Sequence, residues 1–196
     1  MTSPVTTETG GTALVVIDLQ NAVMAESENS DAVITRIVTL IDRARRANTP
    51  IIFVTHEDEE MPAGSEGWQL VPQLVALDGD IFIPKRYPDA FAGTDLEDTL
   101  EDLGANHLVV CGAQTDACIR ATVHRAASLG YRITLAADAH TTAGRTFDGV
   151  TLTVDHIVAQ MNMSTLYLSY PQGTPAVLSH DDEIVFEPKP VDATAT

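Results

Sequence analysis

The chain has 196 residues, 44% of them hydrophobic, which suits one globular domain able to bury a sizeable core. Its 28 acidic residues against 11 basic ones give a formal net charge of −17. A surface that negative repels phosphate backbones and anionic lipid, which argues against nucleic-acid and membrane partners.

The polar opening "MTSPVTTETGGT" lacks the layout of a signal peptide, and no apolar run nears the roughly 18 residues of a membrane span. Residues 1–11 read as a flexible N-terminal segment. "TALVVIDLQ" (12–20) is then a continuous apolar run ending in polar residues, the pattern of a doubly buried parallel strand. "DAVITRIVTLIDRARRAN" (31–48) carries Val33, Ile34, Ile37, Val38, Ile41 and Ala44 at helical spacing, with Asp31 placed as its cap. Pro50 separates this helix from a second strand, "IIFVTH" (51–56), and a loop holding the single tryptophan, Trp68, follows. "DIFIPK" (80–85) is a third strand and "TDLEDTLEDLG" (94–104) a capped helix that stops at Gly104.

A fourth strand, "HLVVCG", runs into a helix, "DACIRATVHRAASLG", and "RITLAAD" (132–138) is the fifth strand. The segment 148–170 reads as mainly helical, "PAVLSHDDEIVF" (175–186) supplies a last short strand, and 187–196 reads as a flexible tail. Strands alternating with helices predict a single α/β domain over 12–186: three layers, αβα, around a mostly parallel six-stranded, Rossmann-like sheet.

Open parallel sheets bind ligands beyond the carboxyl ends of their strands. Three predicted strands end near a reactive residue: Asp18 after "LVVI", Lys85 after "IFIP" and Cys118 just past "LVVCG". A thiol in the first turn of a helix meets unpaired N–H groups and the positive end of the dipole, which favour a thiolate, and a lysine ammonium favours it further. A carboxylate can take the thiol proton and later return it to a leaving group. Taken singly, a helix cysteine is more often a small apolar filler, as Cys111 inside its strand is read, and an isolated lysine more often a surface charge. The coincidence of the three residues at one edge of the sheet points to a site. With only two cysteines, seven positions apart, there is no metal-ligand pattern, and a reducing, cytoplasmic compartment is expected.

At these residues the sequence resembles the isochorismatase-like cysteine hydrolases. The likeness covers about residues 12–186 through "ALVVIDLQN", "PKRYPDAFAGTDLEDTL", "LVVCGAQTDACIRATVHRAASLGY" and "AADAHTT". It implies a catalytic triad of Asp18, Lys85 and Cys118. It also implies a non-proline cis peptide between Ala113 and Gln114, with the N–H groups of Gln114 and Cys118 as an oxyanion hole. The implied chemistry is attack by the cysteine, a covalent acyl-enzyme and release of an amine. The implied assembly is a homo-oligomer, dimer or tetramer.

The nicotinamidase branch of the family carries a metal site of Asp-x-His plus a further histidine. Here His56 and Asp58 are present, but no second histidine follows before His107, so neither a metal nor another cofactor is expected. Gln20, Asn21, His56, Trp68, Tyr87, Phe91 and Gln114 are the candidates for a substrate pocket. His124 is expected to face solvent or an interface, His140 to steady a loop after the fifth strand, and the acidic clusters at 57–60 and 181–183 to be solvated. The reading is a cysteine hydrolase acting on a C–N bond of a small amide, carbamoyl or lactam-like substrate. One alternative is vinyl-ether hydrolysis of the isochorismatase type, with Asp18 as the acid. Another is a non-catalytic or nucleotide- or flavin-binding module, for which the chain offers no G-x-G-x-x-G or Walker-type loop.

Overall fold

The computed structural model describes residues 10–171 and 176–186; residues 1–9 of the expected N-terminal segment and the whole expected tail, 187–196, lie outside the described residues. Six strands form one parallel sheet: β1 (Gly11–Ile17), β2 (Ile51–His56), β3 (Ile81–Lys85), β4 (Ala105–Ala113), β5 (Arg132–Thr141) and β8 (Val177–Ser179), in the order β3-β2-β1-β4-β5-β8. Chain order reverses between β1 and β4, and in open sheets the crevice at such a switch point is where ligands sit.

Alternation along β1 divides the core into two. Ala13, Val15 and Ile17 point to one face, packed with Leu96 and Leu100 of α3 (Leu96–Asp102), Val123 and Ala126 of α4 (Arg120–Leu129) and Met161 of α5 (Val154–Leu166). Leu14 and Val16 point to the other, where α1 (Asn21–Glu26) adds Met24 and α2 (Ser30–Arg46) buries Val33, Ile34, Ile37, Leu40, Ile41 and Ala44. Helices cover both faces of the sheet, so the three-layer expectation holds. The sixth buried position on α2 is Leu40, while Val38 is only partly buried.

Some boundaries differ from the sequence reading. Asn29, at φ 56°, occupies the N-cap of α2 without a side-chain bond, and Asp31 lies inside the first turn, with Arg43, Arg45 and Arg46 in the last. Asp31 thus complements the helix dipole rather than capping it. The segment expected to be helical from 148 instead begins as an antiparallel hairpin, β6 (Arg145–Phe147) and β7 (Val150–Leu152). Its turn is Asp148-Gly149, at φ 49° and 76°, and Asp-Gly favours this tight left-handed geometry. Helix α5 starts only after Thr153, whose side chain caps it by accepting from the His156 N–H at 3.3 Å.

β5 runs three residues past its expected end, after an irregularity in its pairing with β4, so that Gly112 pairs with His140 and Ala113 with Thr141. His140 therefore belongs to the sheet and not to a loop. Gly112 sits at φ +123°, and a Cβ there would lie 2.1 Å from the Ile17 carbonyl oxygen. The two strands that flank the crevice approach closely enough to require glycine.

Candidate active site

Register explains how Lys85 and His56 meet. They are paired residues at the ends of β3 and β2, so their side chains leave the same face of the sheet. Asp18 follows β1 and takes φ 51°, which ends the strand's alternation, while its N–H still donates to the Val54 carbonyl at 2.9 Å. Cys118 lies in a π-helical turn, Thr115–Ile119, that leads directly into α4.

Lys85 joins these elements. Its ammonium lies 2.8 Å from Asp18 Oδ2 and donates to Cys118 Sγ at 3.2 Å and to His56 Nδ1 at 3.3 Å. Three N–H donors thus have three acceptors, as an ammonium on a side chain with 0% exposure requires. Asp18 is also buried, and its second oxygen, Oδ1, has no donor committed to it among the described residues; the neighbouring Cys118 thiol is the group that can supply one.

Burial pushes the Asp18 carboxyl above its ordinary pKa and outweighs the lowering by Lys85. Burial, followed by the Asp18 charge, pushes the Cys118 thiol up to about 11 against the opposing pull of Lys85. Burial and the Asp18 charge run against the ionised sulfur expected from the helix terminus and the lysine. The site that gives Cys118 a cation also shields it from water and sets a carboxylate beside it, and both of these favour the thiol. Cys111 is fully buried within β4, and burial alone raises its thiol pKa, as expected of a filler.

The expected pocket residues take varied positions. Gln20 is fully buried and turns away from any ligand: its amide nitrogen donates to the carbonyls of His56 (2.9 Å) and Trp68 (2.8 Å), and its oxygen accepts from the His56 N–H at 2.8 Å. Asn21 donates to the Glu66 carbonyl at 2.9 Å, pinning the same loop. Phe91 is mostly buried in the core against Tyr131, with ring centroids 5.8 Å apart, whereas Tyr87 is exposed. The Trp68 indole nitrogen is buried without a hydrogen-bond partner among the described residues. Gln114 follows a cis peptide after Ala113, and its side-chain oxygen accepts from Arg145 at 2.7 Å.

The acidic run 57–60 is ordered by bonds of its own. Asp58 Oδ1 accepts from the N–H groups of Glu60 (2.9 Å) and Met61 (2.7 Å), and Oδ2 lies 3.2 Å from His56 Nε2. The Met61 N–H above all holds the Asp58 carboxyl below its usual range. Glu57, Asp58, Glu59, Pro62, Ala63 and Arg86 line a cleft of about 390 Å³ beside the end of β2. Among the described residues, no group of three His, Cys, Asp or Glu side chains converges as metal ligands would.

The sequence reading did not anticipate the supports of the cysteine turn. Asn162 donates to the Ala137 carbonyl, which leaves its oxygen to accept from His140 Nε2 at 2.9 Å. His140 Nδ1 then accepts from the Thr115 hydroxyl at 2.9 Å. Burial lowers the His140 pKa, so the ring is neutral, as this directed chain needs. Asp116 is held by Thr142 (2.6 Å) and by Arg145 (3.2 Å). Arg145 lies on β6, just before the segment 148–170 that was read as helix, and no sequence signal connected it to the site. His124, expected at an interface or in solvent, faces the Tyr170 hydroxyl at 3.4 Å.

With this geometry in view, the comparisons agree with one another. A family model, the isochorismatase domain, matches residues 12–164. The secreted isochorismatase effector Isc1 of Verticillium dahliae is 32% identical over 147 residues, covering 69% of this chain and 75% of that protein. The ureidoacrylate amidohydrolase RutB of Serratia proteamaculans is 28% identical over 178 residues, covering 69% and 72%. The crystal structure of an isochorismatase from Pseudomonas putida KT2440 superposes with a TM-score of 0.80 at 30% identity, over 89% of this chain and 90% of that one.

Proposed function

The chain belongs to the isochorismatase family of hydrolases, and on that premise we propose that it cleaves a C–N bond of a small amide, carbamoyl or lactam-like substrate through an acyl-enzyme on Cys118. The observation that carries the reading is the Lys85 ammonium in contact with both the Asp18 carboxylate and the Cys118 sulfur. Kinship with an amidohydrolase supports the choice of bond.

In this reading Asp18 takes the thiol proton as sulfur bonds to the substrate carbonyl carbon, and the carbonyl π pair moves onto oxygen. The Gln114 carbonyl accepts from the N–H groups of Ala117 and Ile119, both at 3.1 Å. The Cys118 N–H between them and the Gln114 N–H are then the donors for that oxyanion. As the oxyanion collapses, the C–N bond breaks and Asp18 returns its proton to the leaving nitrogen. Water, giving a proton to the same carboxylate, then attacks the thioester; the acid product leaves and the thiol is restored. Lys85 stabilises whichever neighbour carries the negative charge.

A second reading, vinyl-ether hydrolysis with Asp18 as a general acid, draws on the upward shift of the Asp18 carboxyl. Cys118→Ala separates the two. A panel of small amides and ureides is assayed for ammonia or amine release and isochorismate for its hydrolysis, with intact-mass detection of an adduct 1:1 with protein. Loss of amide turnover and of the adduct in the variant supports the acyl-enzyme; undiminished turnover on any substrate refutes it.

A further inference from the structure

The relation of His56 to Lys85 goes beyond this reading, though it rests on Cys118 being the nucleophile. A lysine ammonium can only donate hydrogen bonds. His56 Nδ1, at 3.3 Å from Lys85 Nζ, must therefore be an unprotonated acceptor, which places the imidazole proton on Nε2. Nε2 faces Asp58 Oδ2 at 3.2 Å, an acceptor suited to that proton. The ring's backbone is fixed as well, because Gln20 bonds both the N–H and the carbonyl of His56. A chain of directed contacts thus runs from a half-exposed carboxylate, Asp58, through His56 to the buried ammonium, and from there to Asp18 and Cys118.

We propose that His56 is a positioning residue: a neutral imidazole, its tautomer set by Asp58, that takes the third N–H of Lys85 and so holds the ammonium against Asp18 and the reacting sulfur. Without that acceptor, the buried Lys85 ammonium loses one of its three protein partners. The ammonium is then drawn towards the carboxylate and away from sulfur, and the thiolate loses part of its counter-charge. The charged groups around the ring are Lys85 and Asp18 on the sheet side and Asp58 on the loop side. Arg86 is engaged with Glu57 at 3.1 Å.

The test reads the sulfur directly and needs no substrate. Carbamidomethylation of Cys118 by iodoacetamide is followed by intact mass from pH 6 to 10 in the wild type, His56→Ala and His56→Asn, with melting curves for all three. His56→Ala is expected to move the rate profile up by about one pH unit, an alkylation about tenfold slower at pH 8. His56→Asn, whose amide oxygen stands near the position of Nδ1, is expected to restore most of the rate. A His56→Ala profile that superposes on the wild type overturns the proposal. So does a His56→Asn protein that is folded yet as slow as His56→Ala, since the ring is then needed for something other than accepting from Lys85.

Should His56→Ala fail to fold, long-range 1H–15N spectra of the wild type decide: a protonated Nε2 with a bare Nδ1 upholds the assignment, and a protonated Nδ1 overturns it. The two readings fail separately. An unmoved alkylation profile removes His56 and leaves the nucleophile standing, whereas amide turnover that survives Cys118→Ala removes the nucleophile alone.

Discussion

Replacing Lys85 by Met tests whether the site holds a true buried ion pair. The two side chains are 0% and 2% exposed and their charges lie 2.8 Å apart. In Lys85→Met at neutral pH, Asp18 must either keep a buried charge without its cation or take up a proton, and breaking one partner of a buried pair costs about 3–5 kcal/mol. For a domain of this size 1 kcal/mol moves Tm by about 2–4 °C, so a fall of about 6–20 °C is expected. The pH dependence has a definite sign. Burial already raises the folded-state pKa of Asp18, and loss of Lys85 raises it further. A carboxyl whose folded pKa exceeds its unfolded value costs stability as pH rises from the ordinary carboxylate range through the raised pKa. The deficit of Lys85→Met is therefore greatest above that window and shrinks as pH falls towards 4. The double variant Asp18→Asn/Lys85→Met buries no charge and is expected to regain most of the loss. Thermal and urea unfolding by circular dichroism from pH 4 to 8 measure all of this. A deficit that does not vary with pH, or a double variant no more stable than Lys85→Met, refutes the argument.

Gly112→Ala is expected to destabilise the fold severely and abolish activity, because its Cβ would meet the Ile17 carbonyl oxygen at 2.1 Å and nitrogen at 2.7 Å with φ at +123°; a melting temperature within a few degrees of wild type would contradict this. Gln20→Leu strips the bonds to His56 and Trp68 and is expected to cost about 2–4 kcal/mol by urea unfolding, with faster proteolysis in the loop 57–70. Native protein treated with iodoacetamide is expected to carry one adduct, on Cys118. Because that thiol is pushed up to about 11, the rate should climb close to tenfold per pH unit between pH 7 and 10, whereas a plateau near pH 8 would show an ionised resting sulfur. Cys111 should react only after unfolding.

The strands that place the site were legible because doubly buried parallel strands are continuous apolar runs, and "ALVVI", "IIFV" and "LVVC" leave little else to fit. Asp18, Lys85 and Cys118 were legible for the same reason, as polar or reactive residues standing where such runs stop. The hairpin at 145–152 was not seen, although Asp148-Gly149 between Phe147 and Val150 is a turn signal; helical spacing from Val154 onwards was extended backwards to 148, across the turn and the second strand. Gln20 was read as a ligand contact because it is polar and near Asp18, but its partners are backbone groups 36 and 48 residues away, which no local pattern encodes. The third acceptor on Lys85 was hidden similarly. It depends on the register of β2 against β3, and sequence placed both strands without fixing their alignment.

The upward shift of the thiol follows from the same burial that makes the pair useful. Desolvation raises the pKa of Asp18 and of Cys118 alike, because it penalises the carboxylate and the thiolate. Moving a proton from sulfur to Asp18 replaces one buried anion by another beside the same ammonium. The desolvation cost of the new charge is therefore largely offset by relief of the old one. What governs attack is the difference between the two pKa values, and burial shared by both groups moves the two in the same direction. On this account a permanently ionised Cys118 would be the less economical design: with Asp18 also charged, the cleft would hold two anions against one cation, and the thiolate would repel the base that must later deliver a proton to the leaving nitrogen.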